Sequence, residues 1–343
     1  MSTTDTTDTT RTMRAAQAVA AGAPFELREI PVPEAGPGQV RVRVRACGVC
    51  GGENIARFGA LGTPFPRVPG HEIAGEVDAV GAGVTAWQVG DRVGIGWHGG
   101  SCFTCAHCRS GDFVNCVERK IVGASYDGGY AEYVSAPQDA LARIPDVLSF
   151  TEAAPLMCAG LTVFNALRNS GARAGDTVAV HGIGGLGHLG LQFADKMGFR
   201  TVAVSRGRDK EKLARELGAD AYVDSTEGSA GEALTALGGA NVVLTTVGVS
   251  PAQADLVQGL RPNGRMIVVA TDHRPVEVDP ELLVFGRREV TGWYSGHARD
   301  AEETLAFAAL KGVRPMTQTY SLEKAEEAFQ GMGSAEYRNV LVP

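Results

Sequence analysis

The chain has 343 residues, 45 of them glycine and seven cysteine, with 32 basic against 39 acidic side chains and a formal net charge of −7. That length predicts roughly two domains of about 100–200 residues each. A 44% apolar and 21% charged composition excludes wholesale disorder, the absence of a G-x-y triplet excludes collagen, and the acidic balance argues against nucleic acid as a partner.

Residues 1–13 are rich in Thr and Asp and carry no apolar stretch, so they read as a mobile tail and not a secretory signal. No apolar run approaches the ~20 residues of a spanning helix, and no membrane partner is expected. A cytoplasmic protein follows, whose thiols stay reduced and are read as metal ligands before disulfides. Pro and Gly break the first third into short segments. In Gln39–Arg45, Val40, Val42 and Val44 alternate with Arg41, Arg43 and Arg45, which predicts a half-buried strand with a solvated arginine face. Ile73–Val80, Arg92–Ile95 and Tyr130–Ser135 read as further strands, so the first 150 residues predict a barrel-like β domain.

The pattern changes near Thr151, where a helix is predicted to run towards Ser170. Strands at Thr177–Val180, Thr201–Val204, Ala221–Val223, Val242–Thr246 and Arg265–Ala270 alternate with helices at Leu186–Met197, Asp209–Leu217 and Pro251–Leu260. That alternation predicts a parallel, doubly wound sheet. From about Trp293 the pattern loosens into helices at Asp300–Lys311 and Leu322–Gly331 and a last strand at Asn339–Val342. This tail is expected to rejoin the first domain.

Cys102, Cys105, Cys108 and Cys116 lie in one loop with C-x2-C-x2-C-x7-C spacing. Four thiolates wrapped around one ion suit a closed, structural Zn²⁺ site. Two disulfides and an iron–sulfur cluster are the competing readings; compartment disfavours the first, and nothing else in the sequence suggests electron transfer. His107, inside the loop, reads as a bystander.

Val178–Gly187 is a strand entering Gly182-Ile183-Gly184-Gly185-Leu186-Gly187 and then a helix. This G-x-G-x-x-G in strand–helix context predicts a dinucleotide site, with the pyrophosphate at the helix N-terminus. An NAD site places Asp or Glu at the end of the second strand. Here Ser205-Arg206-Gly207-Arg208 stands there, and a hydroxyl with two guanidiniums suits the 2′-phosphate of NADP(H).

Together with Gly48-Val49-Cys50, Gly70-His71-Glu72 and Cys158-Ala159-Gly160-Leu161-Thr162, these motifs resemble the zinc-dependent alcohol dehydrogenases of the medium-chain dehydrogenase/reductase superfamily. The resemblance runs from Ala15 onward and is similar, at Gly182–Gly190, to the NADPH-preferring, cinnamyl-alcohol-dehydrogenase-like branch. It implies an α/β protein with a GroES-like β-rich catalytic domain at 14–158 and 293–343 and a Rossmann domain at 159–292. It implies two Zn²⁺ per chain, the catalytic one held by Cys50, His71 and Cys158 with Glu72 nearby, and a homodimer or homotetramer acting on a small-molecule substrate. Thr162 matches a residue near the nicotinamide, Arg338 a pyrophosphate-contacting arginine, and Trp97 a substrate-pocket aromatic. Cys47 is left for core packing.

The sequence departs from the family after the zinc-ligand Cys. Gly51-Gly52-Glu53 replaces a run whose Ser or Thr begins the proton relay, and the relay histidine is missing. Glu53 keeps a carboxylate that could orient His71. The two glycines are expected to widen the pocket beside the metal. An alcohol dehydrogenase or carbonyl reductase using another proton source is the first expectation. Reduction of an iminium or conjugated C=C bond is the second, and a non-catalytic NADPH-binding sensor is a third of another class.

Overall fold

The computed structural model describes residues 11–272, 274–332 and 338–343. Most of the expected tail, residues 1–10, therefore lies outside the described residues. Thr12 and Met13 do not belong to a tail: they open strand β1. The chain divides into two compact units, one of residues 1–146, 319–333 and 339–343, the other of 147–318 and 334–338.

In the first unit β1 (Thr12–Ala18) and β2 (Phe25–Pro31) form an antiparallel hairpin. The main sheet is built from β3 (Gln39–Gly48), β4 (Glu72–Val80), β5 (Arg92–Ile95), β6 (Tyr133–Pro137), β7 (Leu141–Arg143), β14 (Thr317–Ser321) and β15 (Arg338–Val342). Among the described residues its order is β14-β15-β3-β4-β5-β7, with β6 also pairing β3. The predicted alternation in β3 holds: Val40, Val42 and Val44 are buried, each contributing about 1.5–3 kcal/mol by leaving water. Its arginine face is more than solvated, because Arg41 and Arg45 reach Asp78 (2.6 Å) and Glu76 (2.5 Å) on β4. The strand expected at Tyr130–Ser135 begins at Tyr133, since the Tyr130 N–H donates to the Pro69 carbonyl instead.

The C-terminal return closes this unit's core. Leu322, Ala325, Ala328 and Phe329 pack with Phe25, Tyr130 and Ile73. Arg57 lies over the Phe25 and Phe329 rings, 5.2 Å from each centroid, and pairs with Glu326 at 2.8 Å. The part that returns begins at Thr319, not at Trp293. The helix Ala298–Lys311 stays with the second unit because Phe307 packs on Phe164 and Phe193, and Arg168 pairs with Asp300 and Glu303.

The second unit also begins earlier than expected. Ser149 and Glu152 form a capping box, so the helix starts at Phe150, before Cys158. Phe150–Pro155, a π turn Leu156–Gly160 and Leu161–Arg168 form one helical run. By length and composition this run could cross a bilayer, but most of it is buried inside the fold, as a core helix would be. Behind it stands a wholly parallel sheet of β8 (Thr177–His181), β9 (Arg200–Ser205), β10 (Ala221–Asp224), β11 (Ala240–Thr245), β12 (Leu260–Val268) and β13 (Glu289–Gly292). Its order is β10-β9-β8-β11-β12-β13. Strand order reverses between β8 and β11, which puts a ligand crevice beyond their carboxyl ends. The helix expected to reach Leu260 ends at Leu256, and Leu260 already belongs to β12.

Candidate functional site

The cysteine loop folds around a short helix, Ala106–Arg109, and a 3-10 turn, Phe113–Asn115. The sulfurs of Cys102, Cys105, Cys108 and Cys116 all lie within 4.8 Å of one another. Cys102 Sγ is 3.5 Å from Cys116 Sγ and 4.0 Å from Cys108 Sγ. Tetrahedral Zn–S bonds of about 2.3 Å put sulfurs about 3.8 Å apart, so the loop fits the ion; all four thiols are unbridged. Hydrogen bonds from the Thr104 side chain and nearby backbone N–H groups pull the Cys102 thiol down to about 6. Desolvation and the neighbouring sulfurs push Cys108 up to about 12. His107 approaches Asp112 (3.4 Å) and is not one of the four.

At the end of β3 the chain passes through Cys50 into a 3-10 turn, Gly51–Glu53, and His71 immediately precedes β4. Cys50, His71 and Glu72 present ligand atoms within 4.8 Å of one another. Glu72 faces Gly48 across the β3–β4 ladder, and its carboxylate fills the space a Cβ at Gly48 would need. Glu53, only 2% exposed, clamps the next loop: its Oε2 accepts the Gly70 N–H (2.8 Å) and its Oε1 the His71 N–H (3.2 Å). The same Oε1 stands 2.8 Å from His71 Nδ1, at ion-pair distance but off hydrogen-bond geometry, with the carboxylate on the side of the imidazole away from Nε2. Burial disfavours a charged His71, but the Glu53 carboxylate and the Cys50 sulfur outweigh it and hold the pKa well above the ordinary histidine value.

Gly52 differs from its expectation. A Cβ there would lie 2.5 Å from Trp97 Cζ3 and 2.7 Å from His71 Cε1. Trp97 stands edge-on to His71, 4.7 Å between centroids at 89°. Gly52 therefore opens no space beside His71; two rings occupy it. Gly51 is the roomier position, its nearest neighbour being Met332 Cε at 3.9 Å. Cys47 is fully buried in the core, as expected.

In the second unit Cys158 sits in the π turn and Thr162 in the first turn of Leu161–Arg168. The three fingerprint glycines divide the labour. Gly182 has φ +93°, Gly187 packs against the Gly182 carbonyl, and Gly184 has nothing within 4 Å of where a Cβ would stand. Open space at Gly184 is what a dinucleotide backbone needs. Leu186 stands at the start of the helix Gly187–Lys196 and makes no side-chain capping bond. The Arg338 guanidinium, 4% exposed, lies with Nη1 2.7 Å from a Cβ built at Gly185.

The two arginines after β9 are not equivalent. Both are exposed, but Arg208 is ion-paired with Glu227 (3.0 Å) and Glu211 (3.1 Å). Ser205 is the last residue of β9, with no carboxylate beside it in sequence. Sequence reasoning missed Lys210, whose Nζ donates to the Ile183 carbonyl at 3.0 Å. That places a cation on the glycine loop; a basic residue five beyond Ser205 was the available signal.

A GroES-like unit with two metal-ligand clusters and a separate Rossmann sheet define a zinc-binding, nicotinamide-dependent oxidoreductase. Residues 36–146 match the alcohol dehydrogenase GroES-like domain and residues 185–310 the zinc-binding dehydrogenase family. The alcohol dehydrogenase notN of Aspergillus sp. (strain MF297-2) is 44% identical over 317 residues, covering 92% of this chain and 93% of that one. Two solved structures share the fold at a TM-score of 0.88. The cinnamyl alcohol dehydrogenase SbCAD4 of Sorghum bicolor is 29% identical, with 97% and 98% of the chains covered. A zinc-binding-dehydrogenase-like protein of Sinorhizobium meliloti 1021, bound to NADP, is 27% identical, with 97% and 100% covered. The chain belongs to the zinc-dependent alcohol dehydrogenase family of the medium-chain dehydrogenase/reductase superfamily.

Proposed function

We propose that this enzyme is an NADP(H)-dependent alcohol dehydrogenase that works as a carbonyl reductase on an aldehyde or ketone, with two zinc ions per chain. Cys50, His71 and Cys158 hold the catalytic ion, with Glu72 as the adjacent carboxylate, and Cys102, Cys105, Cys108 and Cys116 hold the structural one. The observation that carries this reading is the Glu53 clamp on His71, which leaves Nε2 to the metal. When bound, zinc polarises a carbonyl and the nicotinamide supplies or accepts a hydride. The chain's own residues position these groups. Glu53 fixes the His71 ring, Trp97 walls its edge, and Gly184 and Arg338 receive the pyrophosphate.

The NADP(H) preference is supported by Ser205 at the end of β9, by exposed Arg206 and by Lys210 on the glycine loop. The NADP carried by the Sinorhizobium structure is in keeping with it. Arg208 drops out of this set because carboxylates already hold it. With no hydroxyl at Gly52, a water or another side chain delivers the substrate's proton. The same absence favours a second reading, reduction of an iminium or conjugated C=C substrate. A homodimer or homotetramer accords with the edge position of β13 and with Phe285, 83% exposed in the helix before it. Cytoplasmic residence accords with seven unbridged thiols.

The test is elemental analysis together with oxidation of NADPH and NADH over a panel of aldehydes, ketones, iminium ions and enals. Two zinc ions per chain and NADPH-driven carbonyl reduction are expected. One ion and no turnover would favour the sensor, equal use of NADH would remove the Ser205/Arg206 argument, and turnover of only iminium or enal substrates would favour the second reading.

A further inference from the structure

One buried imidazole ties the glycine loop to the segment that seats Arg338. His188, the second residue of the helix Gly187–Lys196, is 1% exposed. Its Nε2 accepts the Met316 N–H at 3.1 Å, and its Nδ1 lies 3.0 Å from the Gly184 carbonyl oxygen. A ring that accepts at Nε2 carries its proton on Nδ1, so Nδ1–H donates to Gly184. Burial, with Arg338 as the charged neighbour, pushes the His188 pKa down to about 4, and this keeps the ring in that neutral form.

Met316 is engaged at both ends of its residue, since its carbonyl accepts the Arg338 N–H at 2.7 Å. Gln192, one turn further along the helix, fastens the same segment. Its Nε2 donates to the Arg314 carbonyl at 2.9 Å, and its Oε1 accepts the Arg314 N–H at 3.0 Å. The glycine whose carbonyl His188 holds is Gly184, the one with open space over it. The arginine seated by Met316 packs against Gly185.

We propose that His188 is a positioning residue for NADP(H), setting through its two ring nitrogens both the orientation of the loop at Gly184 and the backbone that seats Arg338. The proposal rests on the reading of Gly182–Gly187 as the dinucleotide loop. His188 acts through Gly184 and Arg338, with no direct contact to the cofactor required.

The test uses the zinc-loaded full chain, with NADPH binding followed by fluorescence titration and with KM and kcat measured separately. His188→Ala removes both bonds. In His188→Asn the amide can replace Nδ1–H toward Gly184, and in His188→Gln it can replace Nε2 toward Met316. His188→Ala is expected to raise the Kd and KM for NADPH about tenfold, the scale of one to two hydrogen bonds, with kcat within about twofold. The Asn and Gln variants are expected to recover part of the loss. In an Arg338→Ala background the His188→Ala effect is expected to shrink below about threefold, because the two residues act as one unit.

A folded His188→Ala protein that binds NADPH like the wild type would overturn the proposal. So would a lowered melting temperature with unchanged KM, or effects of His188 and Arg338 that multiply independently. If the Ala variant does not fold, wild-type binding by both the Asn and Gln variants overturns it. A wild-type chain that binds neither NADPH nor NADH overturns the loop reading itself, which is a different result from normal wild-type binding with unaffected variants.

Discussion

Gly52→Ser is expected to lower stability and activity together, although it supplies the hydroxyl that the family's proton relay uses. The backbone does not forbid the change, because Gly52 is not among the glycines with positive φ. Packing does. A Cβ would stand 2.5 Å from Trp97 Cζ3, 2.7 Å from His71 Cε1 and 3.3 Å from His71 Nε2. Neither ring is a flexible tip that moves at little cost. Trp97 is stacked edge-on against His71, and His71 is held by Glu53 at 2.8 Å. Overpacking of this kind costs about 1–3 kcal/mol, and in a unit of this size each kcal/mol is worth about 2–4 °C in melting temperature. The zinc-loaded variant should therefore melt roughly 2–12 °C below the wild type, and its kcat/KM for aldehydes should fall. Gly52→Ala, with the Cβ and no hydroxyl, should melt at the same lowered temperature. Trp97→Leu in the Gly52→Ser background should regain part of the loss. A Gly52→Ser enzyme that melts with the wild type and gains carbonyl-reductase activity would refute the reasoning, for it would mean that space was available and the hydroxyl was all the site lacked.

Glu53→Gln keeps the size of the side chain but removes its charge and turns one of its two accepting oxygens into a donor. It should weaken the zinc site proposed at Cys50, His71 and Cys158 about 10–100-fold, the usual range for a carboxylate behind a ligating histidine, as read by chelator competition. Cys116→Ser should remove the other ion, leaving one zinc per chain by elemental analysis. Arg206→Ala should raise KM for NADPH about tenfold or more, the worth of a charge-assisted hydrogen bond, with KM for NADH unchanged. Arg208→Ala should change neither by more than about twofold, because its guanidinium is already held by Glu227 and Glu211. Acid stability should track Glu326. Burial pushes that carboxyl up, but Arg57, Gln330 and the Phe25 N–H together pull it below the ordinary glutamate value. A depressed folded pKa contributes stability above the unfolded value, ~4.3, and loses it as pH falls through the folded one. Arg57→Met should therefore flatten the fall of melting temperature below about pH 4.3, and an unchanged acid limb would count against the pair.

What the sequence made legible was local. The four cysteines are fifteen residues end to end, 102–116, and their spacing alone restricts how their sulfurs can gather. The glycine fingerprint is likewise a single strand–turn–helix, and β8, the loop and the helix stand within a residue or so of their expected bounds. The strand with one clean face, β3, was also readable, and β5 stands at its expected bounds. Where meaning depends on a residue far along the chain, the sequence was silent or misleading. Gly52 reads as empty space until Trp97, 45 residues later, is seen to fill it. Arg208 reads as a phosphate ligand until Glu227 is seen to hold it. The segment 293–318 reads as part of the catalytic domain until Phe307 and Arg168 tie its helix to the Rossmann unit.

These long-range facts change the chemistry expected of the site. A glycine beside a catalytic metal is ordinarily read as room for a bulky substrate. Here it is a requirement of packing, because Trp97 and His71 approach each other across it. A side chain at 52 and the present Trp97 conformation exclude each other. The open side is at Gly51, where the nearest atom to a new Cβ is the flexible end of Met332 at 3.9 Å, and the proposed substrate pocket would be shaped there and by Trp97. Variation at Gly51 should alter substrate range without disturbing His71, whereas variation at Gly52 acts on His71 directly.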